Sequence, residues 1–248
     1  MKLNKKNKNG YYPLFNATAL QNSEIIKLLI DYATENKIIL ELNEKEIENG
    51  YYPLLIATGE NNIEVVKLLI DYATKNNIIL EINEKENGNG YYPLLFAIYR
   101  NNVEMVKLLI DYANHNNIIL NLNAKDEKRV TPLLLAIGLK NIEMVQLLVE
   151  NGAKIESVLL ALAKEEKCFD IVNYLEKKKY IMEKNNNKND DNETLLTYEC
   201  KKGNIEEVKK IIHYGMDINE KNKDGNTPLL IACKDGNIEL AKYLLNYK

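Results

Sequence analysis

One 40-residue sentence is written three times at the start of the chain. Tyr11-Tyr12-Pro13-Leu14 returns as Tyr51-Tyr52-Pro53-Leu54 and as Tyr91-Tyr92-Pro93-Leu94. Each is followed by Lys-Leu-Leu-Ile-Asp-Tyr-Ala, at 27–33, 67–73 and 107–113. A period of this length specifies a stacked array, in which each copy buries its apolar faces only against its neighbours. Such arrays have no central core to outgrow, so 248 residues do not force a division into globular domains. They present a long shared surface, which points towards binding before any single residue is considered.

The second copy shows the grammar of the repeat. Asn49-Gly50 signals a tight turn. Pro53 suits the first position of a helix, where its missing N–H costs nothing. Leu54 to Thr58 form a short apolar helix, and Asn61 stops it as a left-handed residue. Asn62 caps a second helix, with Glu64 in its first turn to suit the helix dipole. On that helix Glu64, Lys67, Asp71 and Lys75 form one polar stripe, and Ile63, Val66, Leu69, Ile70 and Ala73 occupy the other faces. The Glu and Lys residues of the stripe read as solvated i,i+3 and i,i+4 pairs. The cap recurs at Asn22, Asn62, Asn102, Asn141, Asn204 and Asn237, and a seventh, degraded copy has Cys168 there.

A turn, a short Pro-started helix, a Gly or Asn stop, a longer helix and an extended return together resemble the ankyrin repeat. The last copy carries the resemblance best: Asp224-Gly225-Asn226-Thr227-Pro228-Leu229-Leu230-Ile231-Ala232 is similar to the family's D-G-x-T-P-L-H-x-A, with Leu230 in place of His. Gly236-Asn237-Ile238-Glu239 resembles its G-x-x-E, and Asp217-Ile218-Asn219 its return strand. The resemblance covers nearly the whole chain. It implies an all-α ankyrin-repeat solenoid of about seven helix-turn-helix units joined by hairpin loops. The expected organisation is three 40-residue repeats with extended second helices over 1–127 and a fourth repeat over 128–154. A degenerate repeat and polar linker follow over 155–190, then two repeats of the 33-residue type over 191–248.

Departures from the family pattern carry further expectations. Gly152 and Gly215 stop the second helix in later copies, whereas the long copies have Ala33, Ala73 and Ala113. Their helices should therefore continue to about Asn36, Asn76 and Asn116. Tyr12, Tyr52 and Tyr92 replace the usual Thr, so ring packing must stand in for its hydroxyl bond. Val158 to Leu175 read as two helices, with Lys177-Lys178-Lys179 a solvated helix end and a seam before Glu193. Asn16 and Thr18 give the first short helix a polar outer face. The last copy stops at Lys248 without an obvious cap, which suits a fragment of a longer chain.

The chemistry of a catalyst is missing from the pattern. No nucleophile, base or metal-ligand spacing is present, so no catalytic residue, metal or cofactor is assigned and the chain is not read as an enzyme. Cys168, Cys200 and Cys233 read as packed thiols, His115 and His213 as solvated, and Asp190-Asp191 as a solvated loop. Asn43, Asn83, Asn123 and Asn219 read as structural amides that bond hairpin backbone. A net charge of −3 makes no electrostatic case for nucleic acid. No stretch is apolar and long enough to span a membrane. Met1 to Lys6 is basic with no apolar segment after it, unlike a signal peptide. With too few cysteines for a disulfide framework, the expected setting is cytoplasmic and the expected state a monomer.

The ankyrin resemblance implies a protein-interaction module whose partner lies along the concave hairpin and first-helix face. In that family the residue two before the Pro and those six and seven after it face the groove. Here they select Tyr11, Tyr51, Tyr91, Glu60, Tyr99, Arg100 and Leu139 as partner-binding residues. The tyrosines could equally stack on one another, or on Tyr12, Tyr52 and Tyr92, to stiffen the hairpins. A second reading makes the array a targeting arm of a larger enzyme, channel or signalling protein.

Overall fold

The computed structural model describes residues 2–186, 188, 190 and 192–247. Met1, Asp191 and Lys248, which enter the readings of the N-terminus, the acidic pair and the chain's end, lie outside the described residues. Among those described there are fourteen helices and no strand. They come as seven short-then-long pairs: α1 Pro13–Ala19 and α2 Ser23–Glu35, α3 Pro53–Gly59 and α4 Ile63–Lys75, α5 Pro93–Tyr99 and α6 Val103–His115, α7 Pro132–Gly138 and α8 Ile142–Glu150, α9 Ser157–Glu165 and α10 Phe169–Asn186, α11 Leu195–Lys201 and α12 Ile205–His213, α13 Pro228–Lys234 and α14 Ile238–Asn246. The expected hairpins are therefore turns and extended backbone without a ladder.

Local chemistry accounts for the helix ends. Pro13, Pro53, Pro93, Pro132 and Pro228 open their helices. Asn61, at φ 60°, stops the first helix of its repeat, and Gln21, Asn101, Lys140 and Lys167 hold the same left-handed conformation in theirs. All six cap asparagines accept the amide three residues on, as Asn62 does from Val65. Each such cap stabilises its helix by about 1 kcal/mol. α2, α4 and α6 run 13 residues and end at Asn36, Asn76 and Asn116. There each Asn side chain donates to the carbonyl four residues back, Tyr32, Tyr72 or Tyr112. α8 stops after nine residues, before Gly152 at φ 105°.

Two compact lobes emerge, Met1–Ile171 and Val172–Lys248. In the first, the core runs through Leu54, Leu55, Ala57, Val66, Ala73 and their copies in the next repeat, all nearly inaccessible. Full burial of each large aliphatic side chain contributes about 1.5–3 kcal/mol. α2 buries only Ile26 and Ala33, where α4 buries Val65, Val66, Leu69, Tyr72 and Ala73, because α2 has a neighbour on one side. Thr18 contradicts the expected polar face: it is fully buried and its hydroxyl donates to the Leu14 carbonyl at 2.9 Å. Of these two polar residues, only Asn16 is exposed.

Repeats are tied by side-chain ladders that local spacing does not reveal. The Tyr12, Tyr52 and Tyr92 rings are buried, as ring packing requires, but their hydroxyls also bond the following return segment. Tyr52 donates towards Glu81 and Glu84 carbonyls at 2.5 and 3.0 Å, Tyr92 towards Asn121 at 2.7 Å, and Tyr12 towards Glu44 at 3.2 Å. Asn43, Asn83 and Asn123 reach the next repeat rather than their own hairpin. Asn43 donates to the Ile79 carbonyl at 2.7 Å and accepts the Glu81 amide at 3.1 Å; Asn83 and Asn123 do the same one and two repeats on, and Asn4 opens the series. In the expected stripe of charges, Lys27, Lys67 and Lys107 pair across repeats with Glu64, Glu104 and Glu143 at 2.7–2.9 Å. The i,i+3 reading holds in the second lobe, as at Glu206 and Lys209. Stacking brings the equivalent faces of neighbouring helices together, which puts each of these Lys residues within reach of the Glu on the next repeat.

The second lobe packs Leu195, Leu196, Val208, Ile211, Ile212, Ile231 and Leu240 together. α10 does not end near Leu175 but runs to Asn186, and Lys177-Lys178-Lys179 is half-buried mid-helix rather than a solvated end. The cause is a further apolar patch, Tyr180 and Ile181, which packs on this core. The Tyr180 hydroxyl donates to Glu207, which Lys184 also meets at 3.4 Å. Cys168 and Cys200 are buried and Cys233 is exposed, so the packed-thiol reading fails for Cys233, over which no further described repeat is stacked. His115 and His213 are both exposed.

Candidate protein-binding face

A side-chain oxygen holds each loop tip of the long repeats, and in the second and third repeats it belongs to a buried acid. The Glu46 carboxylate, 4% exposed, accepts the amides of Glu48, Asn49 and Tyr51 at 2.6–3.2 Å. Glu86 does the same for Gly88, Asn89 and Tyr91. Asn7 performs the task for Asn9 and Tyr11, and Asp126 for Val130. The residue before the buried tyrosine is thus pinned through its N–H. Its carbonyl is pinned too, by the Asn7, Glu46 or Glu86 amide at 2.9 Å. Charge-assisted bonds to several amides offset the desolvation that would otherwise forbid a buried carboxylate. The outcome is a row of tyrosines, Tyr11, Tyr51 and Tyr91, with fixed backbone and half-exposed rings.

These rings lean on aromatic residues of the first helices. Tyr11 stacks on Phe15 with centroids 5.1 Å apart and planes at 12°. Tyr91 meets Phe96 at 5.0 Å and Tyr99 at 6.3 Å. Burial, with the nearby Glu86 and Glu46 carboxylates, pushes the Tyr51 hydroxyl above its ordinary value, so it stays a donor at neutral pH. A cleft of about 350 Å³ opens between the first repeats, lined by Tyr11, Phe15, Tyr51, Glu60, Phe96 and Arg100 among others. The Arg100 Nε donates to the Gly59 carbonyl at 2.5 Å, which fixes the guanidinium beside the preceding repeat.

Of the residues selected from sequence, Tyr11, Tyr51, Glu60 and Arg100 come together in this cleft. Tyr91 and Tyr99 form an adjoining cluster that shares Phe96 as a wall. Leu139, 36% exposed, caps α7 and lies outside the cleft. Phe15, Leu55, Ile56 and Phe96 line the cleft without having been selected. Their signal was present at one position: Ile56 and Phe96 keep an apolar residue where the first copy has Asn16.

The arrangement offers rings, phenolic donors, one carboxylate and one guanidinium on a rigid frame. Among the described residues no group of three or more His, Cys, Asp or Glu is placed to hold a metal ion. No described helix is long and apolar enough to cross a membrane.

A family model described as ankyrin repeats (3 copies) matches residues 1–79, 76–158 and 159–248. Among solved structures, the ankyrin repeat domain of Bcl-3, a member of the IkappaB protein family, is similar with a TM-score of 0.54 and 21% identity, over 95% of this chain and 100% of that one. At that identity the likeness concerns the fold alone. No curated protein sequence matches the chain.

Proposed function

The chain belongs to the ankyrin repeat family, whose repeats are generally protein–protein interaction modules, and from that premise we propose that it is a non-catalytic scaffold whose protein partner lies along the loop tips and first helices. The contact set is Tyr11, Tyr51, Tyr91, Glu60, Tyr99, Arg100 and Leu139, and the cleft residues Phe15, Ile56 and Phe96 extend it. One observation carries the reading: the tyrosines are pinned through their backbone, Tyr51 and Tyr91 by buried carboxylates and Tyr11 by the Asn7 side chain, yet all three rings stay partly exposed. Pre-ordered aromatic surface loses little entropy on binding, and Tyr and Arg are the residue types that dominate interface energies. Three free cysteines favour a reducing, cytoplasmic setting, and we take the scaffold to act as a monomer. Affinity capture from the source cell supplies the test. A partner retained by the wild-type chain and by a Lys67→Ala control on the opposite stripe, but lost with Tyr51→Ala and Arg100→Ala, supports the face. Equal retention by all four chains refutes it.

A further inference from the structure

Tyrosine stands ten residues after the cap asparagine in the second and third repeats, at Tyr72 and Tyr112. Each ring fills the same socket in the repeat before it. Tyr72, 3% exposed, accepts the Leu40 amide at 3.1 Å and donates towards the Ile38 carbonyl at 3.2 Å. Tyr112, 5% exposed, accepts the Leu80 amide at 2.9 Å and donates towards Ile78 at 3.4 Å. The third repeat has the same backbone groups, at Leu120 and Ile118. The residue that should reach them is Asn151, ten after Asn141. Asn151 is a helix C-cap, and its side chain turns back to the Leu147 carbonyl at 2.8 Å.

The socket is consequently open. Leu40 and Leu80 are each 2% exposed, while Leu120 is only half-buried. Ile119 is 89% exposed, against 54% for Ile39 and Ile79. A cavity of about 280 Å³ stands there, walled by Ile110, Ala113, Ile118, Leu120, Leu122 and Gly152. That is below the ~300–1,000 Å³ of pockets for drug-sized ligands and suits a single side chain. Among the described residues no group bonds the Leu120 amide in the tyrosine's stead.

We propose that this cavity receives the tyrosine side chain of a polypeptide partner, its ring against Ile110, Ile118 and Leu122 and its hydroxyl bridging the Leu120 amide and the Ile118 carbonyl. The chain's own use of the two equivalent sockets defines the occupant: an aromatic ring that carries a donor-acceptor at its tip. This site is separate from the tyrosine cleft and does not depend on it.

Nuclear magnetic resonance titration of the full chain tests the assignment. The probes are a capped Ala-Tyr-Ala peptide, its Ala-Phe-Ala counterpart and p-cresol. The Tyr peptide should shift the Leu120 amide resonance saturably and bind at least as tightly as p-cresol. The Phe peptide should bind about fivefold more weakly or worse, for want of the hydroxyl. Asn151→Tyr should fill the socket from within and abolish the Tyr-peptide shift. The proposal is overturned by no saturable shift at Leu120, by equal affinity of the Tyr and Phe peptides, or by binding of p-cresol alone. A Leu120 shift that depends on protein concentration without probe would mean that a second copy supplies the ring, and would overturn it also. The wild-type comparison of the two peptides stands even if Asn151→Tyr folds poorly.

Discussion

Tyr51 and Tyr52 are neighbours with opposite fates, and the difference is one of direction. Successive residues of extended backbone face opposite ways. Tyr52 therefore goes into the core while Tyr51 stays partly exposed. Burial, together with the charges of Glu84 and Glu81, pushes the Tyr52 hydroxyl well above its ordinary value, and Tyr12 and Tyr92 are raised in the same direction by burial first. A phenol whose folded value is raised contributes stability that is full below its unfolded value, about 10, and is lost as pH climbs towards the folded one. The protein should lose stability from about pH 10 upward, and Tyr52→Phe should flatten that slope in denaturant titrations run from pH 7 to 12. At neutral pH the same variant should be about 1 kcal/mol less stable, since the hydroxyl proton shared between the Glu81 and Glu84 carbonyls is lost. An unchanged alkaline slope would refute the buried-phenol account. That Tyr52 packs inward was legible from its place before Pro53. The Glu46 and Glu86 loop clamps were not, because a carboxylate five residues before a tyrosine carries no pattern that marks it as buried.

Each helix pair repeats one set of instructions, and these were mostly readable. Pro, left-handed stop and Asn cap all act within a few residues, so local sequence decides them. The 13-residue second helices followed from the Ala that replaces a Gly stop. Ala73→Gly should therefore destabilise the chain by about 1 kcal/mol, read from the midpoint of urea unfolding, whereas a neutral result would place residue 73 outside the helix interior. The inter-repeat partners were not readable in the same way. Lys67 is three residues from Glu64 and 37 from Glu104, yet it pairs with Glu104, because stacking and not sequence distance sets which side chains meet. The length of α10 escaped for a related reason: Tyr180 and Ile181 extend it only once α11 and α12 supply a surface to pack on. In the candidate site, the tyrosine row was legible from its period. The cleft behind it was not, since it is formed by side chains from three successive repeats.

Across the whole molecule, each lobe has its own core, and in an array stability is a sum of repeat and neighbour terms. Residues 184–193 are rich in Asn, Lys and Asp and offer little apolar surface to any neighbour. Limited proteolysis followed by mass spectrometry should give its first cuts there, whereas first cuts within the 40-residue repeats would contradict the expected seam. The central claim is that the pinned tyrosine row binds a protein partner and does not merely brace the loops. Its most direct test is one titration series: the affinity of the captured partner for wild-type, Tyr51→Ala and Tyr52→Ala chains, with a thermal melt of each. The account predicts that Tyr51→Ala weakens binding by about 2 kcal/mol, roughly 30-fold, with its melt nearly unchanged. Tyr52→Ala should lower the melting temperature sharply while the folded fraction binds as before. A Tyr51→Ala chain that melts early yet binds at wild-type affinity while folded would show that the row is a structural stack and contradict the claim.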